Sequence, residues 1–177
     1  AVMAAVAYPT FSLIRGARGK AAVKEPFLRM LGRVPKVLQQ DVSFRRYLRV
    51  RFLALLAVLA DPFFAVYAIQ VLDAPATALG LFVMMSTMSS MAANLLFRRP
   101  ADRGRNVTVL QISIALMCAA PFCAFLLPSW QMFIIVFMFS AAGQAGMNIA
   151  AWNLLYAVAP EAERPLYVGT ANSILAL

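Results

Sequence analysis

Histidine is absent from the 177 residues, cysteine occurs twice, and acidic residues number seven. Without an imidazole the chain lacks the commonest transition-metal ligand and the commonest general base. Cys118 and Cys123 lie five positions apart in one apolar run, on different faces of a helix, and suit neither a disulfide nor a metal pair. No metal or cofactor is expected. There is no acidic cluster and no nucleophile motif, so no catalytic residue is assigned. Gly16-Ala17-Arg18-Gly19-Lys20 lacks the P-loop spacing of a primary pump. Charge is scarce as well, at 13% of residues where a soluble domain carries about 25%. With 63% hydrophobic residues and a mean hydropathy of +0.78, there is too little polar surface to cover a water-soluble globule and too much apolar mass for disorder. Eight glycines and two cysteines also exclude collagen-like and disulfide-scaffold classes. At about 20 residues per membrane span, the chain has room for four or five.

The charge that is present is concentrated. Of the sixteen basic residues, eleven lie between Arg15 and Arg51, a stretch with only two acids, Glu25 and Asp41; it holds the whole net charge of +9. In a soluble protein a pI near 10.4 would point to nucleic acid. Here the basic stretch is flanked by apolar runs, so anionic lipids of the inner leaflet are the expected partner and nucleic acid is not. Within it, Pro26 can open a helix, and Phe27, Met30, Leu31 and Val34 recur at helical spacing with Arg29 and Arg33 on another face. Such a segment lies flat on a membrane, or else forms a disordered basic loop.

The apolar runs give the fold class: all-α, a polytopic transmembrane bundle with four complete spans and two partial ones. Residues 1–14 carry no charge but are too short to span, and read as the end of a transmembrane helix. Residues 15–51 are the basic linker. Helices follow near 52–72, 77–97, 106–127 and 131–158, and another starts at 166–177. The uncharged run 106–160 is too long for one helix, and Leu127-Pro128-Ser129-Trp130 divides it. The runs lack the alternation of barrel strands. Loops then alternate sides, and every Lys and Arg falls on the side of 15–51, 98–105 and 159–165, while the 73–76 and 128–130 turns carry only Asp73. The positive-inside rule puts the basic side in the cytoplasm of a cell membrane.

Polar residues inside the spans are the candidate site. Asp61 sits ten residues from Arg51, about 15 Å into the bilayer. A carboxylate there costs about 2.5–3.5 kcal/mol on insertion scales, so a functional role is the first reading: carrying a proton, binding a cation or anchoring a substrate. A purely structural hydrogen bond to a neighbouring helix is the other. Pro62 follows and bends the helix. On the next span Ser86, Thr87, Ser90 and Asn94 share one face, opposite Met84, Met88 and Met91; that face lines a wet cavity or glues two helices. Gln144 and Asn148 lie one turn apart, with Trp152 a turn further, beside a small-residue track of Ala142, Gly146 and Ala150. Asp61, Ser86, Ser90, Gln144 and Asn148 are the expected substrate and proton pathway.

Between two spans the chain reads Arg98-Arg99-Pro100-Ala101-Asp102-Arg103-Gly104-Arg105-Asn106. This resembles the loop motif of the major facilitator superfamily, G-x-x-x-D-(R/K)-x-G-R-(R/K), which recurs between the second and third helices of each six-helix half. Asp102, Arg103, Gly104 and Arg105 match in kind; Arg98 stands in place of the leading glycine, and the spacer before Gly104 is missing. The order of elements is similar to the C-terminal half of such a transporter, running from the end of helix six into helix eleven, so the resemblance implies a fragment whose partner is a missing N-terminal six-helix half. It further implies a secondary active transporter of a small solute by alternating access, with a proton as the coupling ion if Asp61 titrates, and with Asp102, Arg103 and Arg105 as a conformational latch. The alternatives are an integral membrane enzyme and a non-transporting membrane scaffold.

The topology is testable with single-cysteine variants in a cysteine-free background. Lys20→Cys and Arg99→Cys should react with an impermeant maleimide from one side of the membrane and Ala76→Cys from the other; Lys20 and Arg99 on opposite sides would refute the span count.

Overall fold

The computed structural model describes Val34 and residues 38–175. The expected helix end at 1–14 and the amphipathic helix of the linker fall outside the described residues. Those described are helical, joined by short turns, with no strand among them. The helices are α1 (Val42–Val58), α2 (Asp61–Gln70), α3 (Ala78–Asp102), α4 (Asn106–Leu126), α5 (Ile134–Val158) and α6 (Arg164–Leu175), the last preceded by a 3₁₀ turn at Glu161–Glu163. Four segments are long and apolar enough to cross a membrane: Val42–Gln70, Ala78–Asp102, Asn106–Leu126 and Ile134–Val158. Their outer faces carry bare apolar side chains, Phe63, Leu95, Leu96 and Phe125 among them. A water-soluble fold does not leave such a surface open. The chain is a multi-pass membrane protein.

The first span starts at Val42 rather than near residue 52. Asp41 is the reason. Its Oδ1 accepts the Phe44 backbone N–H at 3.0 Å and caps the first turn, while its Oδ2 accepts the Tyr167 hydroxyl at 3.0 Å. The arginines counted with the linker therefore extend the helix, and Arg45 reaches back to the carbonyls of Leu38 and Gln39 at 2.9 and 2.6 Å. The same span breaks at Leu59–Ala60. Pro62 has no N–H for the Val58 carbonyl four residues before it, so α1 stops at Val58 and α2 restarts with Pro62 in its first turn.

The second span also runs further than 77–97. It continues through Pro100 to Asp102, because a proline in the last turn forfeits a single backbone bond. Gly104, at φ +76°, then closes it: its N–H donates to the Ala101 carbonyl and that of Arg105 to the Pro100 carbonyl, both at 3.0 Å. This is the Schellman pattern, and a side chain at that φ would be strained. At the other end, Asp73 takes φ +52° and the Ala74 N–H donates to the Ala68 carbonyl at 3.0 Å, which turns α2 towards α3.

Two apolar cores occupy opposite ends of the bundle. At the Asp73 end, Phe64, Phe82, Phe133 and Val136 are buried together, with Phe82 stacked on Phe137 at 4.6 Å. At the arginine-rich end, Phe44, Leu48, Leu155 and Tyr167 are buried, with the Phe44 and Tyr167 rings 4.6 Å apart. Between them α5 is the central helix. Gly143 and Gly146 bring it against α4: a Cβ at Gly143 would lie 2.8 Å from the Ser113 carbonyl oxygen, and one at Gly146 would collide with the Ser113 hydroxyl and the Phe97 ring. The glycines seat a neighbouring helix; α5 stays continuous through both.

Gly146→Ala should therefore lower the thermal midpoint in detergent, by an amount equivalent to about 1–3 kcal/mol of overpacking. Gly80→Ala, where a Cβ meets nothing within 4 Å, should be neutral or slightly stabilising. Equal midpoints for the two variants would contradict the close-packing role of Gly146.

Candidate functional site

The break at Pro62 leaves Asp61 in the first turn of α2, near the positive end of that helix, in the middle of a membrane-spanning segment. Its carboxylate faces α5. Ser140 donates its hydroxyl to Oδ1 at 2.6 Å and Gln144 donates Nε2 to Oδ2 at 2.5 Å. The same Nε2 lies 3.1 Å from Ser140 Oγ, so the three side chains form a closed triangle. Both donors are neutral. The triangle also tolerates a proton on Asp61, because a hydroxyl can donate or accept by rotating about its C–O bond.

The triangle forms one wall of a cavity of about 450 Å³ between α2, α3 and α5. Its polar lining consists of Asp61, Ser86, Ser90, Asn94, Ser140, Gln144 and Asn148, with Phe137 and Ile149 as apolar surface. All five residues expected from the sequence as the pathway, Asp61, Ser86, Ser90, Gln144 and Asn148, thus meet around a single space. On the α3 wall, Ser86 bonds back to the Phe82 carbonyl at 2.7 Å and Ser90 reaches across to the Ala141 carbonyl at 3.3 Å. Ser89, next to it, donates to the Met138 carbonyl at 2.8 Å, a second tie between α3 and α5. The polar face of α3 therefore does both things open to it, lining a cavity and joining helices. Thr87 turns to the exposed side, with the exposed Met84, Met88 and Met91.

Three residues of this region were not among those expected. Ser140 contacts Asp61 directly, and its signal was the four-residue spacing of Ser140, Gln144 and Asn148. Asn94, on the polar face of α3 but outside the five named for the pathway, lines the cavity as well. Arg51, counted with the linker, donates Nη2 to Asn148 Oδ1 at 3.1 Å.

The loop residues behave differently. Asp102 pairs with Arg98 one turn before it at 3.8 Å, and both side chains are largely exposed; an exposed pair of this kind contributes about 0–1 kcal/mol. Arg103 and Arg105 are exposed and make no side-chain hydrogen bond to any described residue. Asn106, at the start of α4, accepts from Asn153 of α5 at 3.0 Å and fixes the turn against that helix.

No curated protein and no solved structure matches the chain. The Major Facilitator Superfamily model matches residues 45–177, from the first turn of α1 through the whole of α6. A polar cavity lined by membrane-spanning helices, a charged turn between α3 and α4, and a match over most of the length agree: the chain belongs to the Major Facilitator Superfamily, a family of membrane transporters.

Proposed function

We propose that this protein moves a small solute across the cell membrane by alternating access, that transport is coupled to a proton, and that Asp61 carries it. The observation behind this reading is the Asp61–Ser140–Gln144 triangle on the cavity wall. An ion pair would hold a carboxylate in its charged state. Two neutral donors stabilise the charge when it is present and remain satisfied when it is not. The solute would occupy the space between Ser86, Ser90, Asn94, Gln144 and Asn148, with a second bundle half completing the wall. Hydroxyls and amides orient a ligand without imposing charge.

Asp102, Arg103 and Arg105 are proposed as the latch. The Schellman turn at Gly104 holds Arg103 and Arg105 outward, where they can meet helix ends or the other half and bias one conformer. With the basic loops on the inner face, the same arginines would contact anionic lipids. Family membership favours transport over a membrane enzyme or an inert scaffold.

Vesicles containing the full chain and a trapped pH dye test the reading. Addition of a transported solute should acidify or alkalinise the lumen, and Asp61→Asn should reduce that signal about tenfold or more at unchanged expression. Undiminished proton movement by Asp61→Asn would remove Asp61 as the carrier.

A further inference from the structure

A second cavity, of about 280 Å³, lies between α1, α5 and α6 and is separate from the one that Asp61 lines. Its polar groups are Arg51, Tyr47 and Asn172, and its floor is Trp152, Leu55 and Leu155. The Arg51 guanidinium joins the two spaces, since it also donates to Asn148 on the wall of the first. A guanidinium offers five N–H donors in a planar fork, and the Asn148 bond uses one direction of it. Among the described residues no carboxylate lies within ion-pair distance of Arg51.

We infer that this cavity is an anion subsite on the same solute path, a second station joined to the Asp61 cavity through Arg51 and Asn148, and that the solute is a small monocarboxylate with an apolar or aromatic body. The argument rests on the transporter reading above. The planar fork matches a carboxylate in a bidentate pair. One cation matches one negative charge, whereas a phosphate monoester would need more. Tyr47 and Asn172 offer further donors to the same group. Trp152 and the two leucines present an apolar surface to the rest of the molecule, in the arrangement typical of small-ligand sites: a mostly apolar pocket with few fixed polar groups. The pairing with Asp61 is chemically coherent. A carboxylate on Arg51 and a proton on Asp61 add to a neutral load, so the pair crosses the bilayer without moving net charge.

The test uses the full chain in lipid nanodiscs with Trp130→Phe, which leaves Trp152 as the remaining tryptophan. The probes are benzoate, benzamide and benzylamine, matched in size and differing in charge. Benzoate should change the Trp152 emission saturably, and the other two should not. Arg51→Gln should weaken benzoate binding about tenfold or more, and Arg51→Lys should fall between, since it keeps the charge and loses the fork. Asn172→Ala, at an exposed position on α6, should weaken binding less and guards against an Arg51 variant that fails to fold. A flat benzoate titration, equal binding by Arg51→Gln, or preference for benzylamine would overturn the inference. Binding is read at fixed pH without a gradient. A failed proton role for Asp61 would therefore leave this result standing, and a flat titration would leave the proton role standing.

Discussion

One carboxylate in the middle of an apolar span constrains the rest of this structure. Asp61 cannot face lipid without a cost of about 2.5–3.5 kcal/mol, so its helix must turn it towards a neighbour with donors. The neighbour is α5, and Ser140 and Gln144 supply them. Pro62 makes the arrangement possible: the break it forces before α2 places Asp61 at a helix start, where the exposed N–H groups favour negative charge. A bend, a charge and a helix pairing thus follow from one dipeptide.

The consequence is an unequal division of labour around α5. On its glycine face, Gly143 admits the α4 backbone and Gly146 the side chains of Ser113 and Phe97. Its carbonyls at Met138 and Ala141 accept from Ser89 and Ser90 of α3. The remaining face, Ser140, Gln144 and Asn148, is left for the cavity. Where lipid replaces water, helices gain little from the hydrophobic effect on meeting each other, and close approach with hydrogen bonds must hold them. Three kinds of contact on three sides of one helix satisfy that requirement. The cavity lies where neither an apolar core nor a close backbone approach fills the gap.

The sequence made the spans legible because their signal is length and absence of charge, which few other structures mimic. It also made the polar cavity legible, since Asp61, Gln144 and Asn148 are costly in a bilayer wherever they point. Helix ends were less legible. Charge marks loops only on average, and the arginines at 45, 46, 49 and 51 sit on a helix because Asp41 caps it and their long side chains reach polar surroundings. Pro100 reads as a breaker, yet it falls in a last turn that hardly needs its bond. Of the small-residue track expected at Ala142, Gly146 and Ala150, Gly146 and Ala150 are buried, and Gly143 joins Gly146 as a position without room for a Cβ. Spacing alone does not tell which face of α5 meets α4.

That Asp61 has no permanent counter-ion among the described residues is the feature with the widest reach. Had a lysine or arginine occupied the place of Gln144, neutralising the carboxylate would strand a buried cation, at a cost of about 3–5 kcal/mol. The charge state would then be fixed by the fold. With Ser140 and Gln144 in place, the two groups bonded to Asp61 are both uncharged. Arg51, the arginine of the first span nearest to Asp61, lies about three helical turns away along the span and is tied to Asn148, one turn from Gln144. Distance keeps the two charges from cancelling within the protein. On the proposed reading each is balanced by something mobile, a proton at one end and an anion at the other. Both are attached to neighbouring turns of α5, Asp61 through Gln144 and Arg51 through Asn148.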